Sequence, residues 1–261
     1  MAKPKLPISV FIIAKDEEDR IVSAIRSVID WVDEVIVVDS GSKDDTVEVA
    51  KALGAKVSYH EWPGYGLQKR HAEDLCSNDM VLNIDADESV TADLREEIID
   101  AFETKRIQEA DIWRIPIKDL YPHEKEPAPW AFTYNQLRLY DRTKGRFSES
   151  TVHDSVIPDA ASRTGQLKHV IAHRSVRSIN SFINKLNRYT TMQVADMRAK
   201  NRKFPKWRIL VEFPLNFLKA YFIRRHCLYG FWGIIISVNY AYIRFLRIAK
   251  AYEAELNNPP E

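Results

Sequence analysis

Apolar positions in the first hundred residues alternate between short unbroken runs and stripes at helical spacing. Residues 8–14 form a run of β-branched and aromatic side chains of strand length. Ile21, Ala24, Ile25, Val28 and Ile29 then fall at i, i+3, i+4, i+7 and i+8, predicting a helix with one buried stripe. Val35-Ile-Val-Val38 is a second strand with no alternation, the pattern of a strand covered on both faces. The next helix opens at Asp44 and stops at Gly54, where glycine accepts the left-handed turn that ends helices. Strands follow at 55–60 and 80–84, with a helix at 67–75 between them. Thr91 caps a helix running to about 105, with Asp93 and Glu96 near its positive end, and 112–117 supplies a fifth strand. Repeated βα units predict an α/β fold with a Rossmann-like, mostly parallel sheet and flanking helices. Ligands of such sheets bind at the carboxyl ends of the strands, where the acidic residues of this half gather.

From 118 to 175 the pattern changes. Pro122, Pro127 and Pro129 interrupt it, and short strands at 136–140, 152–157 and 169–173 predict an antiparallel extension or lid beside the main sheet. From Ser178 onward the spacing is helical. The expected division is therefore a catalytic domain over 1–175, its halves meeting near 117, and a helical region over 176–261.

The 261 residues are 45% hydrophobic and 29% charged, which excludes a disordered chain, a disulfide-stapled miniprotein and a polytopic membrane protein. Cys76 and Cys227 stand far apart, which argues for a reducing compartment and against a zinc cluster. The basic and then apolar N-terminus resembles a signal peptide. Its uninterrupted apolar run covers only 10–14, however, and Lys15-Asp-Glu-Glu-Asp-Arg20 follows without a small-residue cleavage site, so a first strand and a cytosolic catalytic face are expected. The formal net charge of +1 hides an asymmetry: residues 1–150 carry 20 Lys and Arg against 30 Asp and Glu, and residues 151–261 carry 18 against 7. The two halves are expected to face different partners.

The densest chemistry is Asp85-Ala86-Asp87-Glu88, directly after an apolar strand. Two carboxylates separated by one small residue suit a hard divalent cation such as Mg²⁺, whose other positions go to water and phosphate oxygens. The same pattern also serves as a plain acidic loop entering a helix. Asp39 ends the second strand in Asp39-Ser40-Gly41-Ser42-Lys43-Asp44-Asp45-Thr46, where a carboxylate could accept hydrogen bonds from a nucleobase or ribose and the turn allows close backbone approach. Ser42 or Asp44 would also serve as helix caps. Ala14, Lys15, Asp16 and Glu17 end the first strand as a second wall of the same pocket. Gly64-Tyr-Gly66-Leu-Gln68-Lys69 opens a helix whose Gln68 and Lys69 could reach a base or diphosphate.

Taken in order, these four motifs resemble family-2 glycosyltransferases of GT-A fold, and among them the bacterial enzymes that transfer glucose to lipopolysaccharide inner-core heptose. The resemblance spans most of 7–190. It implies that Asp39 contacts uracil, Asp85 lies on the ribose side, and Asp87 is the principal ligand of Mg²⁺ or Mn²⁺. Lys15, Asp16 and Lys69 would line the nucleotide. It also implies inverting displacement, with a base in the acceptor half. Asp154 in Thr151-Val-His153-Asp154 is the candidate, although such enzymes more often carry Glu there, and the residue also reads as an ordinary strand-end carboxylate. The implied donor is a UDP-hexose and the implied acceptor a lipid-linked saccharide. Arg138 and Arg142 would bind acceptor phosphates or simply be surface charges. His169 and His173 read as core or supporting histidines more readily than as metal ligands.

The tail supplies a third partner. Residues 201–250 carry ten Lys and Arg and one acid, Glu212, interleaved with aromatics. Residues 227–243 carry no charge but are too short and too interrupted to span a bilayer. An interfacial anchor on an anionic membrane is expected, peripheral on the cytoplasmic face of the inner membrane; a helical subdomain packed on protein is the alternative. No motif points to nucleic acid. Two other functions fit parts of the pattern: a haloacid-dehalogenase-like phosphatase using Asp85 and Asp87, and a non-catalytic adaptor binding nucleotide and membrane.

Overall fold

A computed structural model describes residues 4–151, 154–200, 202 and 204–257. These described residues fall into two compact units: those up to 120, with 125–127 and those between 133 and 175, form the first, and 121–124, 128–132 and those from 176 onward form the second.

The first unit opens as the apolar pattern demands, with β1 (Leu6–Ala14), α1 (Ile21–Arg26), β2 (Val32–Asp39), α2 (Thr46–Ala52), β3 (Lys56–Tyr59), α3 (Tyr65–Asp74) and β4 (Met80–Asn83). It continues through β5 (Glu88–Val90), α4 (Ala92–Glu103), β6 (Ile112–Asp119), β7 (Thr133–Asp141), β8 (Gly145–Phe147), β9 (Val156–Pro158), β10 (Thr164–Gln166) and β11 (Ile171–His173). The main sheet runs β3-β2-β1-β4-β7-β6-β11-β5, with β10 also paired to β6. Strand β1 sits inside it and is buried on both faces. Ile8, Val10 and Ile12 join the core of α1 and α4, while Phe11 joins a second core with Val38, Ala72, Tyr140 and Phe147. Parallel register pairs Ala14 with Asp39, so β1 and β2 end together, and β4 runs alongside them.

Three expectations need correction. Residues 136–140 are not a lid: β7 lies in the middle of the sheet, antiparallel to both β4 and β6. Its polar pattern reads as an edge because its buried members include Arg138, a charge that is matched by carboxylates. The helix at 21 stops at Arg26, where the Ser27 hydroxyl donates to the Ala24 carbonyl at 2.7 Å and accepts from Val90 N–H at 3.0 Å. The strand expected at 152–157 is β9 alone, paired with β8 in a separate ribbon, and Val152 and His153 lie outside the described residues.

At the opposite end of the sheet from the acidic residues, Glu34 ties three strands together. Its carboxylate accepts from the Ser9 hydroxyl at 2.5 Å and from the Ser77 N–H and hydroxyl at 2.7 and 2.6 Å, and it pairs with Lys56 at 2.6 Å.

The second unit contains α5 (Ile179–Ala199), α6 (Arg208–Leu218) and α7 (Gly230–Asn257), with a π-helical turn at Lys219–Ile223 and a 3-10 turn at His226–Tyr229 between the last two. Ser178 and Ser181 form a capping box at the start of α5. Lys250 on α7 reaches α5 through the Asn187 carbonyl at 2.7 Å and the Thr190 hydroxyl at 3.0 Å. Among the described residues, no helix is long and apolar enough to cross a membrane.

Burial alone would raise the Glu34 pKa, but Lys56, Ser77 and Ser9 overcome it and hold the carboxyl down to about 2. A depressed folded-state pKa contributes stability above the ordinary carboxylate pKa, and that contribution is lost as pH falls toward 2. Glu34→Gln should therefore destabilise the protein at neutral pH, by less than the full shift implies because the Lys56 partner is solvent-screened. Urea unfolding at pH 7 and pH 3.5 should show the deficit shrinking in acid; an equal deficit at both would contradict this account.

Candidate functional site

The carboxyl ends of β1 and β2 meet in a turn held by its own side chains. Ser40 N–H donates to the Ala14 carbonyl at 3.0 Å, which keeps the two strand exits together. Asp16 adopts a left-handed φ of 56°. That conformation is unfavourable for a residue with a Cβ, and here it is held from both sides: Asp16 N–H donates to Ser42 Oγ at 2.9 Å, and Lys43 N–H donates to Asp16 Oδ1 at 2.8 Å. Asp39 is buried and accepts from Gly41 N–H at 2.8 Å, from Ser42 N–H at 3.0 Å and from the Ser42 hydroxyl. Gly41 takes φ 86°, which explains glycine at the tip. Three donors do not exhaust the four lone-pair positions of a carboxylate, so Asp39 retains acceptor capacity. Lys15 is exposed at the rim.

Gln68 lies behind this turn and not in the open. Fully buried, it donates to Ser40 Oγ at 3.0 Å and to the His60 carbonyl at 3.2 Å, and its Oε1 lies 2.7 Å from His60 Nδ1. Its amide supports Ser40.

Next along the sheet, β4 delivers Asp85, Ala86, Asp87 and Glu88. Three acids in four residues repel one another, and cations from distant elements are brought against them. Lys69, on α3 and nearly fully buried, lies 2.8 Å from Asp85 Oδ1 and 2.7 Å from Asp154 Oδ2. Arg138, on β7, pairs with Asp85 at 3.3 Å and Glu88 at 2.8 Å and donates to Asn83 Oδ1. Burial would raise the pKa of Asp85, yet Lys69 and Arg138 drive it well below the usual carboxylate range. Burial prevails at Glu88 against the pull of Arg138, and its pKa is raised.

Asp87 faces a different set. Arg20 reaches it at 3.2 Å while also holding Glu17 at 2.6 Å, and His173 Nε2 lies 3.5 Å from Asp87 Oδ2. On the other side of the imidazole, Nδ1 has Asp119 at 3.7 Å and the Tyr134 hydroxyl at 3.1 Å. Burial would lower the His173 pKa, but hydrogen bonds with Asp119 and Asp87 push it up to about 10. Asp87 stays below its ordinary value, because the His173 hydrogen bond outweighs burial.

Among the described residues no group of three or more His, Cys, Asp and Glu side chains forms a self-sufficient metal cage. The chemistry nonetheless fits an incomplete one. A carboxylate and an imidazole nitrogen 3.5 Å apart stand near the separation, about 3 Å, of adjacent ligands around a small octahedral cation. A carboxylate behind the histidine's other nitrogen is the usual orienting partner of a metal-bound histidine. Asp87 is thus the carboxylate that could hold Mg²⁺ or Mn²⁺, with Asp85 beside it; His173, protonated between Asp87 and Asp119, could join it as a ligand only by giving up the proton it directs at Asp87.

The chain brings Asp154 here through a tight seam. Tyr65 and Gly66 N–H donate to the Thr151 and Ser150 carbonyls at 3.2 and 3.0 Å. Gly64, at φ 125°, lies so close that a Cβ would sit 2.5 Å from Thr151 Cα. The candidate base is therefore positioned against the start of α3, where Lys69 receives it. His153 lies outside the described residues.

Two further expectations are corrected. Arg142 is remote from the acidic cluster: it follows β7 at the amino end of β4, with its N–H on the Asp79 carbonyl at 2.9 Å and its guanidinium on the Glu73 carbonyl at 3.1 Å. Arg138 is at the site but buried and engaged by protein carboxylates, so it is a supporting cation and no exposed receptor for acceptor phosphates. His169 and His173 also separate: His169 is exposed beside Asp93 at 3.8 Å, and only His173 reaches the site. Arg20 and Asp119 carried no signal in the sequence beyond their types. His173 carried a weak one, ending an apolar run as Asp39 and Asp85 do.

Comparison with known proteins gives a consistent picture. The family model described as "Glycosyl transferase family 2" matches residues 9–163. A protein of Rickettsia typhi described as an uncharacterized glycosyltransferase is 41% identical over 96% of this chain and 88% of its own length. The lipopolysaccharide core biosynthesis glycosyltransferase LpsC of Rhizobium meliloti is 32% identical over 96% of this chain and 93% of that protein. Among solved structures, glucosyl-3-phosphoglycerate synthase from Mycobacterium tuberculosis, in complex with Mn²⁺, UDP-glucose and phosphoglyceric acid, is 31% identical over 45% of each chain with a TM-score of 0.34.

Arg138→Met should strand Glu88, leave Asp85 with Lys69 alone, and destabilise the protein by about 3–5 kcal/mol in urea unfolding. Adding Glu88→Met should restore part of the loss. A single variant as stable as the wild type would remove the supporting role of Arg138.

Proposed function

The chain belongs to glycosyl transferase family 2, with the α/β GT-A-like fold of that family, and we propose that it transfers a hexose from a UDP-sugar to a lipid-linked saccharide with inversion at the anomeric carbon. Family membership supplies the transferase class and displaces the phosphatase reading. The observation that supports the finer reading is the Lys69 ammonium, which lies 2.8 Å from Asp85 and 2.7 Å from Asp154 and so links the proposed donor-side carboxylate to the proposed base.

The donor would lie across the carboxyl ends of β1, β2 and β4. Asp39 and Asp16 face the nucleoside, Ser40 and Gly41 allow close approach, and Lys15 and Lys69 are the cations nearest to a diphosphate. Asp87 would hold Mg²⁺ or Mn²⁺, joined by His173 once that imidazole has released its proton to solvent, and the cation would supply charge neutralisation to the leaving diphosphate. Asp154 removes the proton of the acceptor hydroxyl. That oxygen forms the new bond to the anomeric carbon, and the old carbon–oxygen bond breaks with its electron pair leaving on UDP. Before it can act as a base, Asp154 must exchange Lys69 for the hydroxyl. The negative diphosphate offers Lys69 an alternative partner, so donor binding favours release of the base.

Glucose is the proposed sugar, and the lipopolysaccharide inner core the proposed acceptor class; the likeness to LpsC supports the latter. The basic segment 201–250 would keep the enzyme at an anionic membrane, peripheral on the cytoplasmic face of the inner membrane.

Asp154→Asn should lower kcat by about 10²–10⁴ while leaving UDP-sugar affinity nearly unchanged, the signature of a lost general base. Asp87→Ala should abolish transfer, and chelation of divalent cations should do the same to the wild-type enzyme. Full transfer by Asp87→Ala under chelation would overturn the metal assignment.

A further inference from the structure

We propose that the second unit inserts exposed apolar side chains of α6, the adjoining π-turn and the start of α7 into the interfacial layer of an anionic phospholipid membrane. This rests on the peripheral-membrane reading above and deepens it, because it assigns the hold to an inserting surface and not to basic charge alone.

Helix α6 has its polarity inverted. Its only acid, Glu212, is buried, paired with Arg208 at 2.8 Å and with Arg247 of α7 at 3.9 Å. Its outward stripe is apolar: Trp207, Leu210, Leu218 and Phe222 follow helical spacing into the π-turn, where Ile223 joins them. Leu210 is 80% exposed and Ile223 75%. Helix α7 repeats the arrangement. Phe231, Ile234, Ile235, Val238 and Tyr242 fall at i, i+3, i+4, i+7 and i+11 and are all exposed, Phe231 at 87%. A helix of a water-soluble protein turns such a stripe inward. Exposed apolar stripes of this kind on two successive helices mark a docking face for a membrane or another protein.

Charge selects between these occupants. Residues 201–250 hold ten Lys and Arg, and their one acid is the Glu212 turned inward. Lys206, Lys219 and Arg225 are exposed beside the apolar stripe. Exposed apolar residues interspersed with exposed cations, in a segment whose one acid is turned inward, match a layer of anionic headgroups over hydrocarbon. No described helix is long and apolar enough to cross that layer, so the match is to an element lying in the interface. The backbone at the corner fits the same use: after the π-turn, Arg225 and Gly230 take left-handed φ of 60° and 58°, presenting Phe222, Ile223 and Phe231 on a bend.

The test is co-sedimentation of the full chain with phosphatidylcholine vesicles containing about one-third phosphatidylglycerol. The double variant Leu210→Ser, Ile223→Ser removes apolar surface without adding charge. It should bind these vesicles roughly tenfold more weakly at both low and high salt, with UDP affinity unchanged as the measure of an intact fold. Unchanged vesicle binding by that variant, together with salt-sensitive loss on Lys219→Gln with Arg225→Gln, would overturn insertion while leaving peripheral electrostatic attachment standing. A wild-type chain that ignores the vesicles and forms a dimer that the serine variant dissociates would assign the face to a second copy and overturn the proposal. Failure of the wild-type protein to bind UDP would overturn the donor-site reading independently of any vesicle result.

Discussion

Asp85, Asp87 and Glu88 stand within four residues at the end of a buried strand, and that crowding of negative charge has to be matched from elsewhere in the chain. Each acid receives a cation from a different element. Lys69 comes from α3, Arg138 from β7, Arg20 from the start of α1 and His173 from the end of β11. The topology of the first unit meets this requirement as well as burying its apolar core. Strand β7 occupies the centre of the sheet with a buried arginine because two carboxylates wait for it there. Strand β11, only three residues long, returns beside β6 and places its terminal histidine next to Asp87.

A cluster balanced in this way is poised to exchange partners. Buried ion pairs contribute little net stability, and removing one member is costly. Ligands that bring their own charges, a diphosphate and a divalent cation, can replace one set of pairings with another without leaving any group bare. Lys69 is where this matters most, because its two carboxylate partners belong to opposite halves of the unit. The ammonium that neutralises Asp85 also occupies Asp154, so the resting contact joins the group proposed to see the donor to the group proposed to act on the acceptor.

Much of the fold was legible in the sequence, for physical reasons that can be named. Strands β1 and β2 announce themselves because parallel strands buried on both faces need unbroken apolar runs, and Thr91 does cap α4 by accepting from Leu94 N–H. The position of β7 was not legible, since Arg138 and its polar neighbours look like an exposed edge until their partners are known. Contacts of long sequence separation were equally hidden: Lys69 and Asp154 lie 85 residues apart, and Arg20 and Asp87 lie 67 apart. Composition could place acids at the strand ends, but not say which cations would meet them. It misplaced Arg142 for the same reason, because residue type does not reveal which end of a strand a side chain occupies. In the tail, the count of cations and aromatics was readable. The inversion of α6, with Glu212 inside and Leu210 outside, was not.

The measurement that bears most directly on the account is the fate of the sugar. The purified chain would be incubated with UDP-glucose, Mn²⁺ and a membrane lipid extract, and the glycolipid product analysed by mass spectrometry and by NMR of its anomeric proton. The account predicts a lipid-linked saccharide enlarged by one hexose, attached with the anomeric configuration opposite to that of the donor. A product of retained configuration, or UDP-glucose consumed with the lipid unaltered, would contradict it.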